Sequence, residues 1–324
     1  MKKLLYFIIT IWLITNIVFA HADVKKTRVF ISKLVDHPAL DATTKGIIDE
    51  LINSGYKLGD NLDLRVESAQ GSAALAGQIA NKFVSQNPDI VVGVGTITAQ
   101  SFAKYARQGQ VKMIFTTVTD PLEAGLVNEL TRPGNNISGI SNFVPLEPQL
   151  ELFKKIKPGI KKLGFLYNPG EQNSLTLIKK LEEICPKFNL ILVKQVASKS
   201  ADILQSATML AEGCDAIFIS NDSTALSALP TIVKAANNAN IPLFVSDIDA
   251  VSSGATAALG PNQYAIGKQT ARMIIRILKG ADISQEAVEF STQTELYINL
   301  KAARRIGITI SDDLLKQATY LIND

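Results

Sequence analysis

The chain has 324 residues, 47% of them hydrophobic and 19% charged, a globular composition with enough length for one large core or two ordinary ones. The formal net charge of +3 includes Lys2 and Lys3 in a segment that reads as removable, and the remaining charge of about +1 excludes the electrostatic footprint of a nucleic-acid binder. His21 and His37 are the two histidines; without His37 neither a histidine-based metal site nor a Ser-His-Asp triad can be assembled, and there is no Gly-x-Ser-x-Gly elbow.

In chain order the first feature is an export signal over residues 1–22. Lys2-Lys3 precede an apolar run from Leu4 to Phe19, and Ala20-His21-Ala22 has the small-x-small pattern of a signal-peptidase site. The run is interrupted by Thr10, Thr15 and Asn16 and falls short of the roughly 20 apolar residues of a spanning helix. Cleavage after Ala20 or Ala22 is therefore expected. No cysteine lies near the site, so a lipid-anchored N-terminal Cys is excluded, and a freely diffusing exported protein suits a periplasm.

From Lys25 onward, short β-branched runs alternate with longer amphipathic stretches, the pattern of a parallel sheet covered by helices. Strands are predicted at 28–34, 62–68, 90–94, 113–116 and 137–140, with helices near 39–54, 73–86, 98–107 and 122–130. Asn142, Pro145 and Pro148 break the pattern at 141–148, the natural boundary between two halves and a candidate hinge. The second half repeats the rhythm, with strands at 163–167, 191–195, 216–220, 243–245 and 255–258 and helices near 147–156, 174–187, 201–212, 223–238 and 264–278. A strand or crossover at 295–300 and a closing helix at 314–322 follow. The expected fold class is α/β, two Rossmann-like lobes with parallel sheets flanked by helices. Cys185 and Cys214 both fall at the amino edge of the second sheet; a disulfide is geometrically conceivable, and two unpaired core thiols are the favoured reading.

In open α/β sheets a ligand lies beyond the carboxyl ends of the strands, and those ends are polar here. The first half offers Asp36 and His37, Thr96 and Thr98, and Thr117, Thr119 and Asp120; the second offers Tyr167 and Asn168, Asn221 and Asp222, and Ser246 and Asp247. Hydroxyl-rich loops that lead into helices present unpaired N–H groups and partial positive charge, where a carboxylate binds. Any one of these residues read singly is as well explained as a helix cap; their accumulation at one edge of both sheets points to a ligand. Gly93-x-Gly95 follows a strand, but Thr98 stands where a dinucleotide site has its third glycine and the strand is the third of its unit, so no nucleotide cofactor is expected.

The segments Val35-Asp36-His37-Pro38-Ala39-Leu40-Asp41, Gly93-Val94-Gly95-Thr96, Thr119-Asp120-Pro121, Gly125-Leu126-Val127, Asn136-Ile137-Ser138-Gly139, Tyr167-Asn168-Pro169, Asn221-Asp222-Ser223-Thr224 and Leu259-Gly260 occur in an order that resembles the type I periplasmic binding proteins of ABC transporters, in particular the tryptophan/tyrosine-type substrate-binding family. The resemblance implies two lobes joined by three crossings. The N-terminal lobe would take 23–142 plus about 260–290, and the C-terminal lobe 143–259 plus about 291–324. It further implies a monomer that closes on a small ligand, often an apolar or aromatic amino acid, and delivers it to a permease with its ATPase. Many relatives follow Leu-Gly with Ile-Asp where this chain has Pro261-Asn262, which removes a carboxylate near the third crossing. An amino-acid ligand would set its carboxylate against Thr96, Thr98 and Thr119 and its ammonium against Asp247 or Asp222, with Tyr167 along its side chain. A sugar importer component and a receptor for a sensor system are the rival readings; no enzymatic activity is expected.

Overall fold

The structure, a computed structural model, describes residues 26–323; the expected export signal lies outside the described residues. Strands β1 (Thr27–Lys33), β2 (Leu62–Ser68), β3 (Ile90–Val94), β4 (Lys112–Val118) and β5 (Ile137–Ser141) alternate with helices α1 (Pro38–Asn53), α2 (Ala73–Val84) and α3 (Thr96–Arg107). The sequence of β3, Ile-Val-Val-Gly-Val, is buried along its whole length, as befits a parallel strand covered on both faces.

The chain then crosses into a second array: α4 (Leu146–Ile156), β6 (Lys162–Tyr167), α5 (Gln172–Ile184), β7 (Ile191–Val196), α6 (Ile203–Gly213), β8 (Ala216–Ile219), α7 (Ser223–Ser227), α8 (Leu229–Asn238), β9 (Leu243–Val245) and β10 (Ala257–Pro261). It returns as α9 (Gln263–Leu278), which packs on α1, and adds β11 (Glu289–Phe290) beside β5. A third crossing leads to β12 (Thr294–Asn299), α10 (Leu300–Arg305), α11 (Asp312–Gln317) and β13 (Tyr320–Ile322). One sheet has the order β11-β5-β4-β3-β1-β2 and the other β13-β12-β10-β9-β8-β6-β7. Every pairing is parallel except β10 with β12. Two parallel-dominated sheets flanked by helices are the α/β class expected from the sequence.

Each sheet buries a core on either face. In the second lobe Phe153, Phe165, Phe218 and Phe244 fill one side and Leu166, Leu210, Ile217 and Ile232 the other; Phe153 stacks on Phe244 with ring centroids 4.2 Å apart. Each such side chain contributes roughly 1.5–3 kcal/mol by leaving water. The returning helix is held by a backbone-to-backbone contact. A Cβ added to Gly46 would lie 2.2 Å from the Tyr264 carbonyl oxygen, and one on Gly267 2.1 Å from that of Thr43, so only glycine lets α1 and α9 approach this closely. Asn262 caps α9 by accepting from Ala265 N at 2.9 Å, as an aspartate would.

Several local expectations are corrected. Residues 122–130 form turns, not a helix: Asp120 Oδ1 accepts from Leu122 N and Glu123 N, and Gly125 at φ +64° leaves the helical region. The helix expected over 223–238 is two, because Pro230 opens α8 and has no N–H to continue α7. The closing helix stops at Gln317, and the β-prone Tyr-Leu-Ile that follows pairs with β12. Cys185 and Cys214 are free and buried in cores on opposite faces of the second sheet, and burial pushes both thiols up to about 11.

Candidate functional site

The carboxyl ends of β1, β3 and β4 face those of β8 and β9 across a cleft of about 560 Å³, mouth included, within the range of small-molecule sites. The first lobe contributes Leu34, His37, Leu40, Gly95, Thr96, Thr117 and Thr119; the second contributes Asn173, Asn221, Ser223, Leu226 and Asp247; Asn142 and Gln263 come from two of the crossings.

The first-lobe wall is a donor surface. Gly95 turns the chain from β3 into α3 at φ +97°, and no side chain caps that helix, so its first N–H groups and its positive end are left to the cleft. Thr117 sits at φ +54°, a left-handed conformation rare for a β-branched residue, and the β4–β5 register shifts between Thr116 and Val118. Strain is thus stored in the cleft wall itself.

The second-lobe wall carries an acceptor. The Asp247 side chain is 2% exposed. Its Oδ1 accepts from Asp249 N at 3.0 Å, while Oδ2 is buried without a hydrogen-bond partner. Burial, with Asp249 adding to it, pushes this carboxyl up to about 7. Across the cleft, among the described residues, three polar contacts link the lobes: Asn221 Nδ2 donates to Thr119 Oγ1 at 3.3 Å, Lys180 Nζ lies 3.4 Å from Asp120 Oδ2, and His37 Nδ1 lies 3.6 Å from Asp247 Oδ2.

Of the residues singled out in the sequence, His37, Thr96, Thr117, Thr119, Asn221 and Asp247 are brought together in this cleft. The others are placed elsewhere. Asp36 is exposed and paired with Lys33 at 2.8 Å, whose hydrogen bond holds its carboxyl below the usual range. Thr98 turns its hydroxyl back to Val94 O and Gly95 O, both at 2.9 Å. Asp120 caps the turn after β4, and Tyr167 packs in the second-lobe core beside Phe165. Asn168 N and Ser174 Oγ donate to Asp222 Oδ2 at 2.7 and 2.6 Å, and Ala225 N donates to Oδ1 at 2.8 Å. Ser246 bonds Ser220 and Gln149 inside the lobe. The sequence reading did not single out Asn142, Asn173 and Gln263. In the sequence the first reads as a hinge breaker, and nothing local marks the other two.

A family model described as ABC transporter substrate binding protein matches residues 28–322. A tyrosine-binding protein of Clostridioides difficile (strain R20291) is 36% identical over 275 residues, covering 85% of this chain and 79% of its own. Among solved structures, an ABC domain from Streptococcus pneumoniae in complex with L-Trp is 30% identical, covers 92% of this chain and 100% of that one, and has a TM-score of 0.88. The ligand-free, open structure of a Clostridium difficile substrate-binding protein with adhesive properties has the same identity of 30% and the same coverage of 92% and 100%, but a TM-score of 0.70. At equal identity the chain is thus closer to the liganded arrangement than to the open one, in keeping with the three contacts that join its lobes.

Proposed function

The chain belongs to the ABC transporter substrate-binding proteins, and from that premise we propose that it captures a free aromatic amino acid and presents the closed, loaded form to a membrane permease driven by an ATPase. Asp247 Oδ2 carries this reading. A buried acceptor left unpaired costs about 1–3 kcal/mol, and an ammonium would satisfy it. Opposite stands the uncapped start of α3, suited to a carboxylate, with Thr96 and Thr119 beside it. Leu34, Leu40 and Leu226 supply an apolar wall for the side chain. One wall rich in donors and one carrying a bare carboxylate oxygen are the two halves of a receptor for a zwitterion.

Tyrosine and tryptophan are the first candidates, since those are the ligands named for the relatives. A sugar is the weaker fit, because among the described residues no aromatic side chain lines the cleft to stack on a ring. The protein is a receptor, not an enzyme. Residues 1–22 are its cleaved export signal, the periplasm its compartment and the monomer its working form. Residues 23–142 with about 260–290 form one lobe and the remainder the other, and they rotate about the crossings on binding.

Calorimetry of wild type and Asp247→Asn across the amino acids and a sugar panel tests this. Tyrosine or tryptophan is expected to bind. The variant, which keeps the shape and removes the charge, is expected to lose about ten- to hundredfold in affinity, roughly 1.5–3 kcal/mol. Binding of a neutral sugar alone would reject the ligand class. Small-angle scattering should show a smaller radius of gyration with ligand.

A further inference from the structure

Three acceptor atoms, one from each lobe and one from the first crossing, line the cleft with too few donors. Asp247 Oδ2, from the second lobe, and Asn142 Oδ1, from the first crossing, are buried without a partner. The third is Nδ1 of His37, from the first lobe, 3.6 Å from Asp247 Oδ2. This nitrogen also accepts from Ala39 N at 3.3 Å as the cap of α1. It is therefore the unprotonated nitrogen of a neutral ring whose hydrogen is on Nε2. Two acceptors at this separation repel unless a hydrogen lies between them, and a primary ammonium brings three N–H donors, one of which would share the Nδ1 lone pair with Ala39 N.

Resting on the amino-acid reading above, we propose that His37 is a specificity-determining residue: its imidazole and the Asp247 carboxylate close on the ligand's primary ammonium from opposite lobes, so that the amino group couples binding to closure. A ligand with only a carboxylate would engage the first lobe at α3 and leave the acceptors facing each other.

The charges around the pair support this assignment. Burial pushes His37 down, with Asp41 opposing, and pushes Asp247 up to about 7, with Asp249 adding to the rise. Beyond Asp249 lies Glu295 on β12, with Tyr297 next to it; Asp41 is paired with Lys33. No cation among these faces Asp247, so until an ammonium arrives the buried pair keeps its balance by a proton on that carboxyl, directed at His37 Nδ1. The arriving ammonium takes the proton's place, the carboxyl ionises, and the proton passes to water. Below about pH 7 binding should therefore release close to one proton.

The test compares L-tryptophan, its des-amino counterpart indole-3-propionate and its descarboxy counterpart tryptamine, on wild type and His37→Asn. Asparagine is a good helix cap, so α1 is retained while the imidazole leaves Asp247; an unchanged Tm checks this. Wild type should prefer tryptophan over indole-3-propionate by at least about a hundredfold. In His37→Asn that ratio should shrink about tenfold, and the proton released, read as the buffer dependence of the binding enthalpy at pH 6, should change. If the variant weakens tryptophan and indole-3-propionate equally and leaves the proton count untouched, His37 is only a helix cap and the inference falls. Should wild type bind tryptamine but not tryptophan, the amino-acid reading falls while the role of His37 is still scored on tryptamine. Binding of neither amine, and of no tyrosine either, overturns both.

Discussion

The loops after β8 and β9 of the second lobe look alike in sequence and differ in what they do. Each begins with a serine and brings a buried aspartate close behind it: Asp222 is 1% exposed and Asp247 2%. Each aspartate caps the short helix that follows. Asp222 has both oxygens engaged by three donors, and the neighbouring Glu171 accepts from Ser223 N at 2.9 Å and Thr224 N at 3.0 Å. That loop is a scaffold that fixes where Asn221 and Ser223 meet the cleft. Asp247 spends one oxygen on its cap and leaves the other bare. Polarity at a strand end therefore does not by itself mark a binding residue; an unspent, buried hydrogen-bonding atom does.

The largest effect expected from this contrast is on folding. Asp222→Ala would leave two buried donors and a half-buried one without an acceptor and should lower stability by about 3 kcal/mol or more, measured by urea denaturation. Asp247→Asn replaces an ill-solvated carboxyl and leaves only Asp249 N in need of an acceptor, which the amide oxygen supplies. Its unliganded stability should stay within about 1 kcal/mol of wild type or rise. If both variants were equally destabilised, the distinction between scaffold and site would collapse.

This contrast also shows what the sequence could tell. The lobes were legible because buried parallel strands read as unbroken β-branched runs, as at 90–94, and because caps and breakers punctuate them. The segment 122–130 misled because Leu122, Leu126, Val127 and Leu130 have helical spacing, while the left-handed Gly125 and the Asp120 cap decide the backbone. At the site, strand-end position pointed to Thr96, Thr119, Asn221 and Asp247. It could not separate Asp247 from Asp222, since that depends on Asn168 and Ser174, some fifty residues upstream. Asn142 and Gln263 enter only through the geometry of the crossings, which no local pattern encodes.

A pH series sharpens the comparison with a smaller effect. Burial pushes Glu171 up to about 7, with Asp222 adding to the rise, and Asp247 also reaches about 7. For both, the folded value exceeds the unfolded one, so the folded state binds more protons over the window from about 4 to about 7. Their contribution to stability is therefore present at the acid end and lost as pH rises through 7. Denaturation of unliganded protein at pH 5 and pH 8 should show lower stability at pH 8. Asp247→Asn should flatten part of that slope, and saturating tryptophan should do the same in wild type, because the ammonium keeps Asp247 ionised at both values. A slope unchanged by the variant would mean that Asp247 does not titrate in this window.

The smallest effect belongs to the rim. Lys180 reaches from α5 to Asp120 of the first lobe at 3.4 Å, and its ammonium also lies 5.1 Å from the centroid of the Phe143 ring in the first crossing. With 38% of the Lys180 side chain exposed, water and salt screen the pair, and such contacts are worth about 0–1 kcal/mol. Lys180 is the partner to change, because Asp120 also accepts from Leu122 N and Glu123 N and its loss would disturb the turn. Lys180→Ala should weaken tryptophan binding by no more than about fivefold. The difference from wild type should fade in 1 M salt, where the screening length is about 3 Å. A loss above tenfold that survives high salt would place the energy of closure at the rim and not at the buried acceptors, and the contrast between Asp222 and Asp247 would then no longer explain how the two lobes hold a ligand.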